Sequence, residues 1–169
     1  MADDKHPTAV IRAKDIADAG EFIFRHPLNP NSECHFTAFD GVRELGEQVG
    51  LKRIGASIAR IPPGKESFEF HAHQLTEEFM YVIAGRGVVD IGDESMEIGP
   101  GDFVGFPAPQ LPHQVRNPFD ADLVCLMGGE RIALDVVDFP RQRKRMITDG
   151  RSAQIVDVDQ LKLLWRRES

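Results

Sequence analysis

The chain has 169 residues, the size of one ordinary domain, and a chain this long can fold on its own core without a disulfide or a metal. Lys and Arg number 20 against 27 Asp and Glu, and a formal net charge of −7 argues against nucleic acid or an anionic membrane as the main partner. Hydrophobic residues at 41% and charged ones at 28% describe a soluble globular protein, while two cysteines, Cys34 and Cys125, are too few for a disulfide framework and fit a reducing cytoplasm.

Met1 to Lys14 mixes charges with apolar residues. No segment approaches the ~20 apolar residues of a membrane span and no signal peptide is visible, so a cytoplasmic protein is expected. Phe22 to His26 reads as a strand, Pro27 to Asn31 as a loop, and Gly41 to Val49 as a short helix. Then come short apolar runs expected as strands: Arg53 to Ile61, Ser67 to Ala72, Glu78 to Ile83, Gly87 to Ile91, Phe103 to Phe106, Gln114 to Asn117 and Leu123 to Met127. Turns such as Pro62-Pro63-Gly64, Ala84-Gly85-Arg86-Gly87 and Gly99-Pro100-Gly101-Asp102 separate them, the rhythm of an all-β sandwich or jelly roll. The glycines read as turn formers, since no helix pattern follows them for an anion to cap. The basic run Arg141, Arg143, Lys144, Arg145 reads as solvated surface, and Val158 to Trp165 as a short helix.

His71 and His73 are one residue apart in a strand-like run, so both imidazoles point the same way, about 7 Å apart. The next strand opens on Glu77-Glu78, and His113 follows a Pro-rich turn some forty residues after the pair. Three neutral imidazoles and a carboxylate suit a divalent Fe, Mn, Zn, Ni or Cu ion and leave positions open for water or substrate. Glu78 shares strand parity with Met80 and Val82, whereas Glu77 faces the rim. Glu69 shares the face of the two histidines and is the candidate acid or base, or a carboxylate reaching solvent where the strand begins. Phe68 and Phe70, with Phe79 and Tyr81, are expected on an apolar outer face, covered by the N-terminal segment, a second sheet or another subunit. Cys125 reads as core, Asn117 as a structural tie, and His6, His26 and His35 as loop or surface residues.

Gly64 through Gly85, with His71, His73 and Glu78, resembles the first signature motif of the cupin superfamily, and Gly101 to Asn117, with Pro107, His113 and Asn117, resembles the second. Within it the chain is most similar to small single-domain bacterial cupins. Two spacings depart from the pattern: Gly64 lies one residue farther from His71, and Ala108-Pro109-Gln110-Leu111-Pro112 carries Pro109 for glycine and one extra residue before His113. The resemblance implies an all-β, double-stranded β-helix (jelly-roll) barrel as one domain. Residues 1–49 would be an extension packing on the barrel, 50–130 the barrel core, and 131–169 C-terminal strands and tail. It further implies a divalent metal held by His71, His73, Glu78 and His113, a small-molecule substrate and a homodimer. Dioxygenase, isomerase or epimerase, and decarboxylase chemistries all occur on this fold. The rival is a non-catalytic module that binds or senses a small molecule or sugar; no helix-turn-helix is appended for DNA.

Overall fold

The computed structural model describes residues 9–41 and 44–165. His6, expected as a loop or surface residue, lies outside the described residues. Among the described residues thirteen strands run antiparallel in three sheets, with two short helices, α1 (Ala13–Ala17) and α2 (Leu45–Gln48), near the start of the chain. No described helix is long and apolar enough to cross a membrane.

The largest sheet has the order β1 (Gly20–Phe24), β2 (Cys34–Ala38), β3 (Ile54–Ile61), β10 (Leu123–Glu130), β5 (Glu78–Ala84), β8 (Phe103–Phe106). A second holds β7 (Glu94–Ile98), β6 (Gly87–Ile91) and β9 (His113–Arg116), and a third β13 (Ala153–Asp157), β12 (Lys144–Thr148), β11 (Asp135–Phe139) and β4 (Ala72–His73). This is the expected jelly roll. Alternation places Ala59 and Ile61 of β3, Met80 and Val82 of β5, and Leu123 and Cys125 of β10 in one core with Cys34, Val89, Ile98, Phe106 and Val115. Both cysteines are free and buried there, and burial pushes the Cys125 thiol up to about 12. Asn117 is a tie, as expected: its amide donates to the Ile61 and Ala121 carbonyls, both at 2.8 Å.

The ends of the chain are more regular than the sequence suggests. The first fifty residues supply β1 and β2 to the largest sheet; β2 and β7 were not among the expected strands, and β11 to β13 lie in the stretch 131–169, where C-terminal strands were expected without bounds. The C-terminal helix is only a 3-10 turn at Val158–Gln160. The run Ser67 to Ala72 is not a strand: only Ala72–His73 forms β4, and an isolated bridge joins His71 to His113. Face parity therefore fails for that run, and the Phe-rich outer face it implied is corrected. Phe68 turns inward onto Phe24 and Phe36, ring centroids 5.2 and 6.2 Å away, so the N-terminal segment covers it. Phe70 is buried beneath the Arg141 guanidinium, 4.1 Å from the ring centre. The basic run is surface, as expected, with Arg143 on Asp159, Lys144 on Asp157 and Arg145 on Asp138.

Gly85 shows why the first motif needs its glycine. Its φ is +77°, and an added Cβ would stand 2.0 Å from the Asp122 carbonyl oxygen. Only a residue without a side chain lets β5 turn into β6 here.

Candidate metal centre

Each of the three sheets brings a side chain to one place. Glu78 opens β5, His73 ends β4 and His113 opens β9. His71 joins them because its N–H and carbonyl pair with those of His113, at 3.1 and 2.7 Å. In an antiparallel pair of this kind directly opposed side chains share a face, and the two imidazole centroids are 4.6 Å apart.

His71, His73 and Glu78 present one ligand atom each within 4.8 Å of one another. The Glu78 carboxylate oxygen lies 3.5 Å from His73 Nε2 and 3.6 Å from His113 Nε2. An ion with bonds of ~2.1 Å needs neighbouring donor atoms roughly 3.0–3.5 Å apart, so the spacing is close to what an ion would draw together. Glu77 is exposed, facing the rim as expected.

The imidazoles are oriented by their other nitrogens. His71 Nδ1 is 2.7 Å from the Glu69 carbonyl, His73 Nδ1 is 2.5 Å from Asp135 Oδ2, and His113 Nδ1 is 3.4 Å from the Leu111 carbonyl. Each partner is an acceptor, so each Nδ1 serves as a donor and each Nε2 is the atom turned toward the cluster. Burial, reinforced by repulsion from His113 and His73, drives His71 well below the usual imidazole range and keeps it neutral. For Glu78, burial opposes ionisation, but the hydrogen bond from His113 and the surrounding imidazoles outweigh it and hold the carboxyl down at about 2. The cluster thus pairs a neutral imidazole at His71 with an anionic oxygen at Glu78, and an ion bound there would take the place of any proton on the other Nε2 atoms.

Several supporting residues carry no motif signal. Asp135 sits across the barrel from His73 in sequence but beside it in space, and it also accepts from Thr76 Oγ1 at 2.7 Å and from the Leu75 and Val136 N–H groups at 3.2 and 2.8 Å. Phe106 stacks on His113 at 3.8 Å between centroids. Gly128 and Gly129 of β10 lie opposite Phe79 and Glu78, and a Cβ at Gly129 would be 3.0 Å from Glu78 Cγ. Only the loss of a side chain on β10 leaves room for that carboxylate.

A cavity of about 550 Å³ opens from this cluster, lined mainly by apolar side chains. His26, expected as a loop or surface residue, lines it instead, its ring 5.2 Å from Phe139. His26 Nδ1 accepts the Leu28 N–H at 3.2 Å, so its proton sits on Nε2. Burial lowers its pKa against a weaker raising effect of Glu69. Glu69 is buried but does not line the cavity; its carbonyl, not its carboxylate, serves the cluster. His35 is also more enclosed than expected, between Glu21 and Glu33 on β2.

A jelly roll with a His and Glu cluster at one end of an internal cavity defines a class of barrel that serves both catalysis and binding. A family model for the cupin domain matches residues 57–129. A solved structure from Acidithiobacillus ferrooxidans, named provisionally as a sugar phosphate isomerase, is 35% identical and aligns over 94% of this chain and 97% of its own, with a TM-score of 0.86. A cupin-superfamily sugar phosphate isomerase from Silicibacter pomeroyi, 24% identical over 88% and 94% of the two chains with a TM-score of 0.77, shares the fold. An uncharacterized protein of Methanocaldococcus jannaschii is 32% identical over 78 residues, 45% of this chain, and the match spans about three fifths of that relative's length. The chain belongs to the cupin superfamily. Metal binding is common in that family, and this barrel holds the residues for it.

Proposed function

We propose that His71, His73, Glu78 and His113 hold one divalent metal ion, and that the chain is a metal-dependent enzyme acting on a small oxygen-rich metabolite. The observation that carries this reading is the convergence of donors: His71, His73 and Glu78 each present a ligand atom within 4.8 Å of one another, His113 Nε2 lies 3.6 Å from the Glu78 carboxylate, and each ring turns its Nδ1 to an acceptor. When bound, the ion supplies a Lewis acid to a substrate oxygen. Glu78 contributes the compensating charge, and the apolar walls exclude water around the reacting atoms. His26 is the lining imidazole outside the cluster, neutral with its proton on Nε2, and so suits proton transfer to or from a bound ligand.

Among the candidate chemistries the isomerase or epimerase type is favoured as a reaction class, without a commitment to a phosphate-bearing substrate, because the 35% identical relative from Acidithiobacillus ferrooxidans, aligned along nearly its whole length, is provisionally named as an isomerase. Untagged protein, loaded with Mn(II), Fe(II) or Zn(II) and analysed by plasma mass spectrometry, should hold close to one ion per chain. His73→Ala should lose most of it while keeping a β-rich circular dichroism spectrum, since the core does not depend on the ion. Wild-type protein that retains no ion refutes the reading, and retention of the ion without turnover of any hydroxy-carbonyl compound moves it to a binding or sensing module.

We also propose a homodimer, now through the outer face of β5 and β8 rather than through Phe68 and Phe70. Tyr81 and Phe103 are register partners there, and Phe103 is 66% exposed on an edge strand. Sedimentation velocity at micromolar concentration should give a dimer that Phe103→Glu dissociates; a wild-type monomer refutes it.

A further inference from the structure

The walls of the cavity select more narrowly than the metal cluster does. Six phenylalanines line it: Phe24, Phe36, Phe68, Phe79, Phe106 and Phe139. Three of them stand directly beside the histidines, with Phe106 on His113 at 3.8 Å and Phe68 and Phe139 at 6.0 and 6.3 Å from His71. A ligand bound at the Nε2 end therefore meets ring faces at once, and only an apolar body gains from them.

The charges in the cavity point the same way. Three carboxylates line it, Glu44, Glu78 and Glu130, and Arg131 is the sole Lys or Arg among the described lining residues. Its guanidinium is already engaged, by Glu44 on one nitrogen and by Glu47 at 2.6 Å on another. Glu44 is in turn bound to the Ser57 hydroxyl. A phosphate monoester carries nearly two negative charges and is normally met by free guanidinium or ammonium groups. To take one here, Arg131 would have to give up Glu44 and Glu47, and the phosphate would then share the cavity with Glu44, Glu78 and Glu130, like charge against like charge.

Four protein donors would leave such an ion able to take oxygens from a ligand as well. We infer that the cavity takes a neutral or singly charged ligand that chelates the ion through two neighbouring oxygens and presents a flat apolar body to the phenylalanine walls, and that it rejects phosphate esters. This rests on the metal reading above. It also separates this chain from what the provisional name of its 35% identical relative would suggest.

The test uses full-length protein loaded with Co(II), its content fixed first by plasma mass spectrometry. 4-Nitrocatechol serves as the apolar chelating probe, ribose 5-phosphate as the phosphate ester, and calorimetry with visible absorption as the readout. Nitrocatechol should bind with a change in its spectrum, and ribose 5-phosphate at hundredfold excess should not displace it. Phe68→Ala and Phe24→Ala should each weaken nitrocatechol about tenfold while retaining the wild-type Co(II) content. Two variants on different elements guard against local misfolding, and circular dichroism checks each. Displacement by ribose 5-phosphate that disappears in Arg131→Gln overturns the inference, as does nitrocatechol affinity unmoved in both phenylalanine variants. Wild-type protein that takes up no Co(II) overturns the parent reading and the chelation with it, a failure visible at the first step and distinct from the others.

Discussion

Asp135→Asn isolates the part of the site that holds no ion. Asp135 is buried, and its two oxygens accept four hydrogen bonds: Oδ2 from His73 Nδ1 and Thr76 Oγ1, Oδ1 from the Leu75 and Val136 N–H groups. Burial opposes its ionisation, yet the hydrogen bonds from His73 and Thr76 and the charge of His73 hold it below the usual carboxylate range. Asparagine has the same shape but only one acceptor oxygen. If that oxygen faces His73, the amide NH₂ points at two backbone N–H groups. If it faces the backbone, the NH₂ points at His73 Nδ1 and forces the ring proton onto Nε2, the atom aimed at the ion. Either way a buried group is left unsatisfied, worth about 1–3 kcal/mol. In a chain of this size that lowers the apo-protein's melting temperature by roughly 2–10 °C. The change at His73 should weaken metal binding about 10–100-fold, the usual weight of such an outer partner. Competition with a chromogenic chelator measures the affinity and differential scanning calorimetry the melt. An Asn variant that binds metal within twofold of wild type refutes the argument that Asp135 fixes the working tautomer of His73.

Two further outcomes test the fold and its electrostatics. Gly85→Ala adds a Cβ at positive φ against the Asp122 carbonyl and should cost about 2–4 kcal/mol or prevent folding; a melt unchanged within 2 °C would show that the β5–β6 turn relaxes freely. Glu21 is held at about 2, against an ordinary value of 4.5, chiefly by hydrogen bonds from Arg60, the closest at 2.8 Å, and then from His35. A carboxyl with a lowered folded-state pKa stabilises fully above its unfolded value and loses that contribution as pH falls from about 4.5 toward 2. The carboxylate is 44% exposed, so screening limits its worth to about 1 kcal/mol or less. Urea titrations at pH 7, 4 and 3 should show Glu21→Gln losing less stability than wild type on acidification; parallel losses would contradict the assignment.

The barrel strands and the closeness of His71, His73 and Glu78 were legible because their signals are local. Strands with alternating burial, such as β3, β5 and β10, show their period within a few residues, and the choice of Glu78 over Glu77 followed from that period. The same reasoning failed between Ser67 and Ala72, where the chain meets β9 only at single bridges, Glu66 with Arg116 and His71 with His113, and alternation breaks between them. That failure displaced Phe68 to the outside and Glu69 to the site. His26 and Asp135 were illegible for a different reason. Their roles come from pairings between residues far apart in the chain, and the short spacings of a motif carry no trace of them. A strand reading of Asp135 to Phe139, whose burial alternates through Asp135, Val137 and Phe139, was the one signal that could have drawn attention to an acid at its head.

The lengthened loop before His113 shows how the fold tolerates a change inside a motif. His113 is placed by its two backbone bonds to His71 and by its pairing with Ile91 on β6, and none of these involves the loop. The extra residue is accommodated upstream, where Gln110 takes on work. Its N–H donates to the His73 carbonyl at 2.9 Å and its Oε1 accepts the His73 N–H at 3.2 Å. Its amide nitrogen donates to the Thr76 and Phe106 carbonyls at 2.9 and 3.2 Å and lies 3.5 Å from the Glu78 carboxylate. One buried side chain thus clips together β4, the turn into β5 and the end of β8. A loop that only connected strands could vary in length and composition at little cost. This one braces two of the four clustered residues, so its altered sequence changes what supports His73 and Glu78 while leaving His113 where strand pairing puts it.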